Sequence, residues 1–209
     1  MKIINAGYEI LTHINGSDVL KTIELVARCC YKSEDKITDE SSHKFVGKLI
    51  KLGHEAMIEH YNFSVKFICD RGVSHEIVRH RIASFAQEST RYCNYSKNKF
   101  SNEITVIAPL FWEKNSYEYL TWEAMCRSAE RTYIELIEAG ATPQEARSVL
   151  PNSLKTEIVM TANLREWRHF FKLRAAQAAH PQIRELAIPL LAELKEQIPI
   201  IFDDIEPLK

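Results

Sequence analysis

The amino-acid sequence predicts an α/β (α+β) protein of one domain, residues 1–209, in which a mixed central sheet is flanked by helices. Two patterns support this fold class. Short apolar stretches with a spacing of two residues, typical of strands, are interspersed with longer stretches at helical spacing. A chain of 209 residues with 45% hydrophobic and 26% charged residues also has the size and composition of a single globular domain.

The N-terminal part of the chain is predicted to form a strand and two helices. Residues 3–11 mix β-branched and polar side chains, which favours a short strand. Ser17 or Asp18 can cap the first helix, and a second helix begins near Thr38 and ends at Gly53.

In the central part of the chain, apolar residues change from the two-residue spacing of a strand to helical spacing. A strand begins at Tyr61, with Phe63, Val65 and Phe67 on its buried face. Residues 70–72 are expected to form a turn, and the apolar residues between 73 and 82 then predict a helix.

Helix-capping residues define the C-terminal part. Residues 104–108 predict a strand, and a long helix over residues 116–139 stops at Gly140. Thr142, Pro143 and Glu145 form a capping box with proline at the first helical position, which predicts a helix carrying Arg147.

Two more helices follow a strand predicted over residues 154–161. Asn163 and Glu166 form a second capping-box pair, and the helix that they begin reaches Arg174. The last helix begins at Pro181, and Pro189 should kink or break it.

Charge and cysteine content narrow the classes of function. A net charge of -1 gives no global positive field that would attract nucleic acid or an anionic membrane. The five cysteines include no Cys-x-x-Cys pair, which favours core packing of each thiol and a reducing cytoplasm. No apolar run approaches the roughly 18 residues of a membrane span, so we expect a soluble cytoplasmic protein.

Residues 79–91 are the strongest candidate binding site. Arg79, His80 and Arg81 open this segment and Arg91 closes it, with hydroxyl and amide side chains between them. This composition suits a phosphate and a polar ring. Ser84, Ser89 and Cys93 are candidate nucleophiles, but the sequence offers none of them an obvious base. Hydrogen bonding to a ligand is therefore favoured for the serines.

A metal site is not predicted. His54, Glu55, Glu59 and His60 suggest metal ligands, but Ile58 stands where a His-Glu-x-x-His motif needs its second histidine. The six glycines include no Gly-x-Gly pair, which excludes a Rossmann fingerprint and a Walker loop. Two other functions stay open at this point: a nucleic-acid-binding module that uses the basic residues of 79–91, and a metal-dependent nucleotide hydrolase built on His54, Glu59 and His60.

The segment also carries a family resemblance. Arg79, His80 and Arg81, followed after seven residues by Ser89, match the Arg-His-Arg-x7-Ser motif of the flavin-dependent thymidylate synthases. Further residues resemble that family in order along the chain: His54-Glu55, Glu59-His60, Arg91-Tyr92, Ala146-Arg147, Val149-Leu150-Pro151, Asn163 and Leu173-Arg174-Ala175.

The resemblance implies reductive methylation of dUMP to dTMP. Methylenetetrahydrofolate would supply the carbon, FAD would be the redox cofactor, and NADPH would reduce the flavin. The resemblance also implies a homotetramer of mixed α/β subunits with sites at subunit interfaces, and no nucleic-acid or membrane partner.

The resemblance assigns roles residue by residue. Arg174 and His54 are the expected catalytic residues, Arg174 facing the uracil ring and His54 lying beside the flavin. The expected flavin contacts are Ala56, Arg79, His80, Arg81, Gln87, Asn163, Leu164, Arg165 and His169. The expected dUMP contacts are Glu76, Arg79, Gln87, Glu88, Ser89, Thr90, Arg91, Arg147 and Arg174, with Arg79 supplied by a neighbouring subunit.

Three positions depart from the family's pattern. Gln87 stands where a glutamate is often found, Glu76 where a glutamine often precedes the motif, and His169 where an asparagine can contact FAD.

Overall fold

The computed structural model describes residues 1–96 and 101–207 and has the predicted α/β fold. A two-stranded sheet has the order β1-β5, and these strands pair in parallel. A four-stranded sheet has the order β2-β3-β6-β4. The strands are β1 Lys2–Ile4, β2 Gly7–Ile10, β3 Asn62–Asp70, β4 Ala83–Gln87, β5 Thr105–Ile107 and β6 Lys155–Asn163.

The α-helices of the described residues connect or follow these strands. They are α1 Gly16–Cys29, α2 Ser41–Lys51, α3 Arg71–Ile77, α4 Tyr117–Glu138, α5 Pro143–Ala146, α6 Leu164–Arg174 and α7 Pro181–Gln197. Short 3-10 segments include Glu55–His60 and Arg147–Val149. Among the described residues, no helix is both long and apolar enough to cross a membrane.

The chain divides into two compact units. The first comprises Met1–Gly7, Phe67–Arg79 and Ala86–Ile158, and the second comprises Tyr8–Lys66, His80–Phe85 and Val159–Lys209. Strands β3, β4 and β6 each contribute residues to both units. The prediction of one domain over the whole chain stays a prediction.

Each unit has its own apolar core. In the first unit, α4 contributes Trp122 and Tyr133 to a buried cluster that includes Val106 and Leu154. In the second unit, α6 packs the indole of Trp167 on the ring of Phe63, with ring centroids 4.8 Å apart. The Trp167 indole N–H also donates to the Phe63 carbonyl at 3.3 Å.

The predicted extent of α4 and the predicted capping box of α5 are confirmed. The Ser116 hydroxyl accepts the Tyr119 N–H, and Gly140 has a positive φ of 97° just after the helix. Thr142 and Glu145 form the capping box of α5, although Arg147 lies at its C-cap and not within it.

Four other predictions about element bounds were wrong. The N-terminal strand is divided into β1 and β2, and the cap of α1 is Asn15, whose side chain accepts the Ser17 and Asp18 N–H groups. Residues 70–72 are not a turn, because the Asp70 side chain accepts the Val73 N–H and thereby begins α3 directly after β3. This helix ends at Ile77, so residues 78–82 lie outside it.

Strand β6 also passes directly into a helix. Asn163 is its last residue, and the Asn163 side chain accepts the Glu166 N–H at 2.9 Å as the N-cap of α6. Further along the chain, α7 continues through Pro189, so the predicted break is absent, and the alternative of a kink stays a prediction.

The cysteines only partly follow the expectation of core packing. Burial raises the pKa of the Cys69 thiol to about 12 and that of the Cys126 thiol to about 11, so both stay protonated. Cys29 and Cys30 are exposed at the C-terminal end of α1, which contradicts the expectation for these two.

Helix α1 allows a matched test of the core of the second unit. Leu20 is 3% exposed and Leu25 is 55% exposed on the same helix. Leu20→Ala should lower the free energy of unfolding by about 2–5 kcal/mol, because it removes buried methyl groups and leaves a cavity. Leu25→Ala should change it by less than about 0.5 kcal/mol. Urea denaturation measures both, and equal losses would contradict the placement of α1.

Candidate active site

The predicted site residues fall into separate groups within the two compact units. In the first unit, the Gln87 side-chain amide contacts two hydroxyl groups, and we call Ser74, Gln87 and Thr156 the hydroxyl cluster. The Gln87 Nε2–H group donates to Ser74 Oγ at 2.9 Å and to Thr156 Oγ1 at 3.2 Å. Ser74 and Thr156 are buried, and the Ser74 hydroxyl itself donates to the Arg71 carbonyl. Because the Ser74 proton is donated to that carbonyl, Ser74 Oγ can only accept from Gln87, so the NH₂ end of the Gln87 amide faces the hydroxyl groups.

Glu88 belongs to an ion-pair network next to this cluster. Its carboxylate accepts from Lys155 Nζ at 3.0 Å and from the Tyr95 hydroxyl at 3.2 Å. Burial alone would lower the pKa of Lys155, but hydrogen bonds to Glu157 and Glu88 outweigh it, so the pKa is raised and the ammonium stays charged. Glu88 is therefore already engaged by protein groups.

The residues after Glu88 form a tight turn. Ser89 Oγ accepts the backbone N–H of Arg91 at 3.3 Å, and the guanidinium of Arg91 lies over the Tyr92 ring. Thr90 is buried, and its Oγ1 accepts from Arg147 Nη1 at 3.4 Å. The structure thus brings two of the expected dUMP contacts, Thr90 and Arg147, together, and Arg147 itself is exposed.

In the second unit, a buried histidine bridges two charged residues of α6. The His80 Nδ1–H group donates to Glu166 Oε1 at 2.9 Å, and Arg174 Nε–H donates to His80 Nε2 at 3.1 Å. We call Glu166, His80 and Arg174 the histidine bridge. The His80 ring also packs near Phe170, with ring centroids 5.0 Å apart.

The two hydrogen bonds determine the protonation of His80. Since arginine is always a donor, Nε2 must accept and the proton of the neutral ring lies on Nδ1. Burial lowers the pKa of His80 below its ordinary value; the hydrogen bond to Glu166 opposes this effect and the charge of Arg174 adds to it. His80 is therefore neutral at physiological pH.

A cavity of about 540 Å³ lies beside the histidine bridge. Both signs of charge line it, and Arg165 Nη1 donates to Glu59 Oε1 at 2.5 Å. Its volume is within the range of small-molecule sites. Its lining residues are Glu55, Glu59, Ile82, Asn163, Arg165, Glu166, His169 and Lys172.

Among the described residues, one group has the composition of a metal site. His80, Glu166 and His169 offer ligand atoms within 4.8 Å of one another. Both nitrogens of His80 are used in hydrogen bonds, however, and the guanidinium of Arg174 places a positive charge against Nε2. A hydrogen-bonded chain accounts for this arrangement better than a cation site does.

Comparison with known proteins agrees with the motif. The family described as thymidylate synthase complementing protein matches residues 9–200 of the chain. A protein of Geobacter sulfurreducens named flavin-dependent thymidylate synthase is 34% identical over 193 residues, which cover 88% of this chain and 81% of the relative. A protein of Pyrococcus furiosus with the same name is 34% identical over 197 residues, covering 90% of this chain and 78% of the relative.

The chain belongs to the flavin-dependent thymidylate synthase family. This confirms the resemblance inferred from the Arg-His-Arg-x7-Ser motif. A solved structure, described as the UMP/dUMP methylase PolB from Streptomyces cacaoi bound with 5-Br dUMP, has the same fold with a TM-score of 0.79. The alignment covers 97% of this chain and 96% of that chain at 19% identity.

The expected flavin contacts that belong to the second unit do not lie together. Asn163, Arg165 and His169 line the cavity beside the histidine bridge. His54 and Ala56 instead line another cavity of about 640 Å³, together with residues of α1 and α2. Leu164 is fully buried, so its side chain belongs to the core.

The remaining expected contacts differ in accessibility. Arg79, Arg81 and Arg91 are exposed, and Glu76, Gln87 and Ser89 are partly buried. The metal ligands of the rival hydrolase are not assembled, since Glu59 pairs with Arg165 and the metal-like group of the described residues does not include His54 or His60.

Sequence reasoning missed two partners. Glu166 was interpreted only as half of a capping box, but its carboxylate contacts His80. Lys155 was not singled out, although it bridges Glu88 and Glu157. The spacing of Lys155 and Glu157, two residues apart on one face of a strand, was a signal for this second network.

The hydroxyl cluster predicts the effect of Gln87→Glu. The substitution places a carboxylate oxygen against Ser74 Oγ, whose proton is already used by the Arg71 carbonyl. We expect the free energy of unfolding to fall by about 1–3 kcal/mol at pH 8, because a buried polar group loses its partner. The loss should shrink at pH 4, where a protonated carboxyl can donate again.

Urea denaturation at both pH values measures this difference relative to the parent protein. Gln144→Glu, at an exposed position in α5, is the control and should have little effect. An equal loss at both pH values would contradict the proposed orientation of the Gln87 amide.

The histidine bridge predicts a pH dependence of stability. The pKa of His80 is lowered in the folded protein from its ordinary value of 6.5. The stabilisation is complete above that value and is lost as the pH falls towards the lowered folded pKa, because the unfolded state takes up a proton that the folded state does not. Between these values the slope from His80 approaches about 1.4 kcal/mol per pH unit.

Denaturation from pH 7.5 to pH 5 should show a smaller loss of stability for His80→Gln than for the parent protein. His13→Gln removes an exposed histidine and serves as the control. A parent-like pH slope in His80→Gln would show that His80 is not held neutral.

Proposed function

We propose that this protein converts dUMP to dTMP by reductive methylation, with methylenetetrahydrofolate as carbon donor, FAD as redox cofactor and NADPH as reductant. Family membership supports the reaction class. The observation that carries the proposal is the folded motif: His80 is joined to Arg174, and the segment that follows forms the turn of Ser89 and Arg91.

The cavity beside the histidine bridge is the proposed flavin site. Arg165 and Lys172 are cations that can meet its phosphate groups, and the exposed side chain of Ile82 offers apolar surface for a ring. When bound, FAD would supply the redox chemistry that no protein side chain provides. Asn163, Arg165 and His169 are the residues that would hold it.

The proposed dUMP contacts are those that the family resemblance implies. Arg91 and Arg147 carry exposed guanidinium groups suited to a phosphate. Ser89 and Thr90, which directly precede Arg91 in the chain, each carry a hydroxyl group. Arg174 would face the uracil ring, where its fixed charge stabilises negative charge that develops at N3 and makes C5 more nucleophilic. His54 is proposed as a second catalytic residue beside the flavin.

We also propose a homotetramer whose sites are shared between subunits, with Arg79 approaching the nucleotide of a neighbour. Arg79 is exposed, as this role requires. The near-neutral net charge of -1 argues against the rival nucleic-acid-binding function.

The proposal is tested by incubating the protein with dUMP, methylenetetrahydrofolate, FAD and NADPH. Flavin absorbance and dTMP formation are followed together. Both NADPH-dependent flavin reduction and dTMP are expected. A protein that binds flavin but forms no dTMP would contradict the proposed synthase activity.

Arg174→Ala should reduce turnover at least tenfold, because transition-state charge stabilisation by one group is commonly worth about 10²-fold. Flavin content should change little. Arg131→Ala removes an exposed arginine of α4 and is the matched control. If Arg174→Ala lost flavin while turnover per bound flavin stayed constant, Arg174 would be a cofactor ligand and not a nucleotide contact.

A further inference from the structure

The histidine bridge is more buried than a ligand-contact cluster requires. His80 is 2% exposed and Glu166 is 7% exposed, whereas Arg174 is partly exposed. Both ring nitrogens of His80 are within hydrogen-bond distance of protein side chains. Both ring nitrogens therefore already have protein partners, which argues against the expected flavin contact through the polar atoms of the His80 ring.

Helix geometry explains why a third residue is needed. Glu166 and Arg174 are eight residues apart on α6 and lie on the same face, because eight residues are close to two helical turns. Their backbones are about 12 Å apart along the helix axis. The His80 ring, which comes from the segment between α3 and β4, bridges this distance.

The direction of the hydrogen bonds gives each member a distinct task. Glu166 accepts the Nδ1–H group, so Nε2 presents its lone pair to Arg174. A bond at Nε restricts rotation of the planar guanidinium, so the terminal nitrogens keep one orientation. If the proton moved to Nε2, a donor would face a donor and the contact would become repulsive.

We infer that Glu166 and His80 are positioning residues that fix the guanidinium of Arg174 for its contact with the nucleotide, a role that rests on the proposed function. Glu166 and Arg174 both favour the Nδ1–H tautomer of His80; Glu166 accepts the Nδ1 proton, and His80 orients Arg174 through Nε2. The charged and titratable groups near the ring are Glu166, His169 and Arg174, all on α6.

Two other roles for these residues lead to different outcomes. If Glu166 were only a structural residue, its loss would lower stability without acting through Arg174. If Glu166 contacted the flavin, its loss would lower the flavin content. The experiments below separate these roles from positioning.

The tautomer of His80 is measured first, by long-range ¹H–¹⁵N correlation on protein labelled with ¹⁵N-histidine. The His80→Gln variant identifies the His80 signals. We expect protonated Nδ1 and unprotonated Nε2 in the parent protein, and a growing Nε2–H population in Glu166→Ala. Protonated Nε2 in the parent protein would overturn the inference. It would also be overturned if the Glu166→Ala and Arg174→Ala double variant had the same tautomer population as Arg174→Ala alone.

A double-mutant cycle then tests whether Glu166 acts through Arg174. The four proteins are the parent, Glu166→Ala, Arg174→Ala and the double variant, and the readouts are dUMP affinity by calorimetry and turnover per bound flavin. In the parent background, Glu166→Ala should lower dUMP affinity and turnover per bound flavin by about tenfold, which is the effect of losing a hydrogen bond to a charged group. In the Arg174→Ala background, the same substitution should lower neither quantity much further. If the losses of affinity and turnover from the two substitutions were additive, Glu166 would act independently of Arg174 and the inference would be contradicted.

A conservative variant keeps the role of Glu166 testable if Glu166→Ala does not fold. Glu166→Gln keeps the size of the side chain and an acceptor oxygen, so it should give an intermediate tautomer population and a smaller loss. Glu135→Ala removes an exposed glutamate of α4 and should match the parent protein. The NMR measurement needs neither nucleotide nor flavin. Parent protein that forms no dTMP would thus count against the proposed function, while the tautomer would still decide the role of Glu166.

Discussion

The junction between β6 and α6 is the constraint on which the second-unit site depends. Asn163 is both the last residue of the strand and the N-cap of the helix, so no loop separates the two elements. Its side chain accepts the Glu166 N–H and thereby sets the first turn of α6. Helical spacing then places Glu166 and Arg174 on one face, and His80 can join them only because the helix begins at this residue.

Residues whose partners lie nearby in sequence were predictable. Ser116 and Gly140 mark the ends of α4, and the Thr142–Glu145 capping box marks the start of α5, because each of these contacts spans only a few residues. The Arg-His-Arg-x7-Ser motif identified the family because it needs only residue types and spacing. The same local logic correctly made Asn163 a helix cap.

Contacts between distant residues could not be predicted in the same way. Glu166 had two possible partners, the local helix N-terminus and a side chain 86 positions earlier in the chain, and only the fold shows that it contacts His80. The Gln87 amide likewise contacts Thr156, which is 69 positions away. The prediction of a turn at Asp70 was wrong for a different reason. Aspartate both begins turns and caps helices, and the local sequence does not distinguish these two outcomes.

The stacking of Trp167 on Phe63 has an optical consequence. Trp167 follows Glu166 directly on α6 and is fully buried. Of the other two tryptophans, Trp122 is buried in the first unit and Trp112 is exposed. An indole in an apolar environment emits at a shorter wavelength than one in water, and its emission responds to small changes in packing. Trp167 therefore gives the protein an intrinsic fluorescent probe in the first turn of α6, next to the carboxylate that contacts His80.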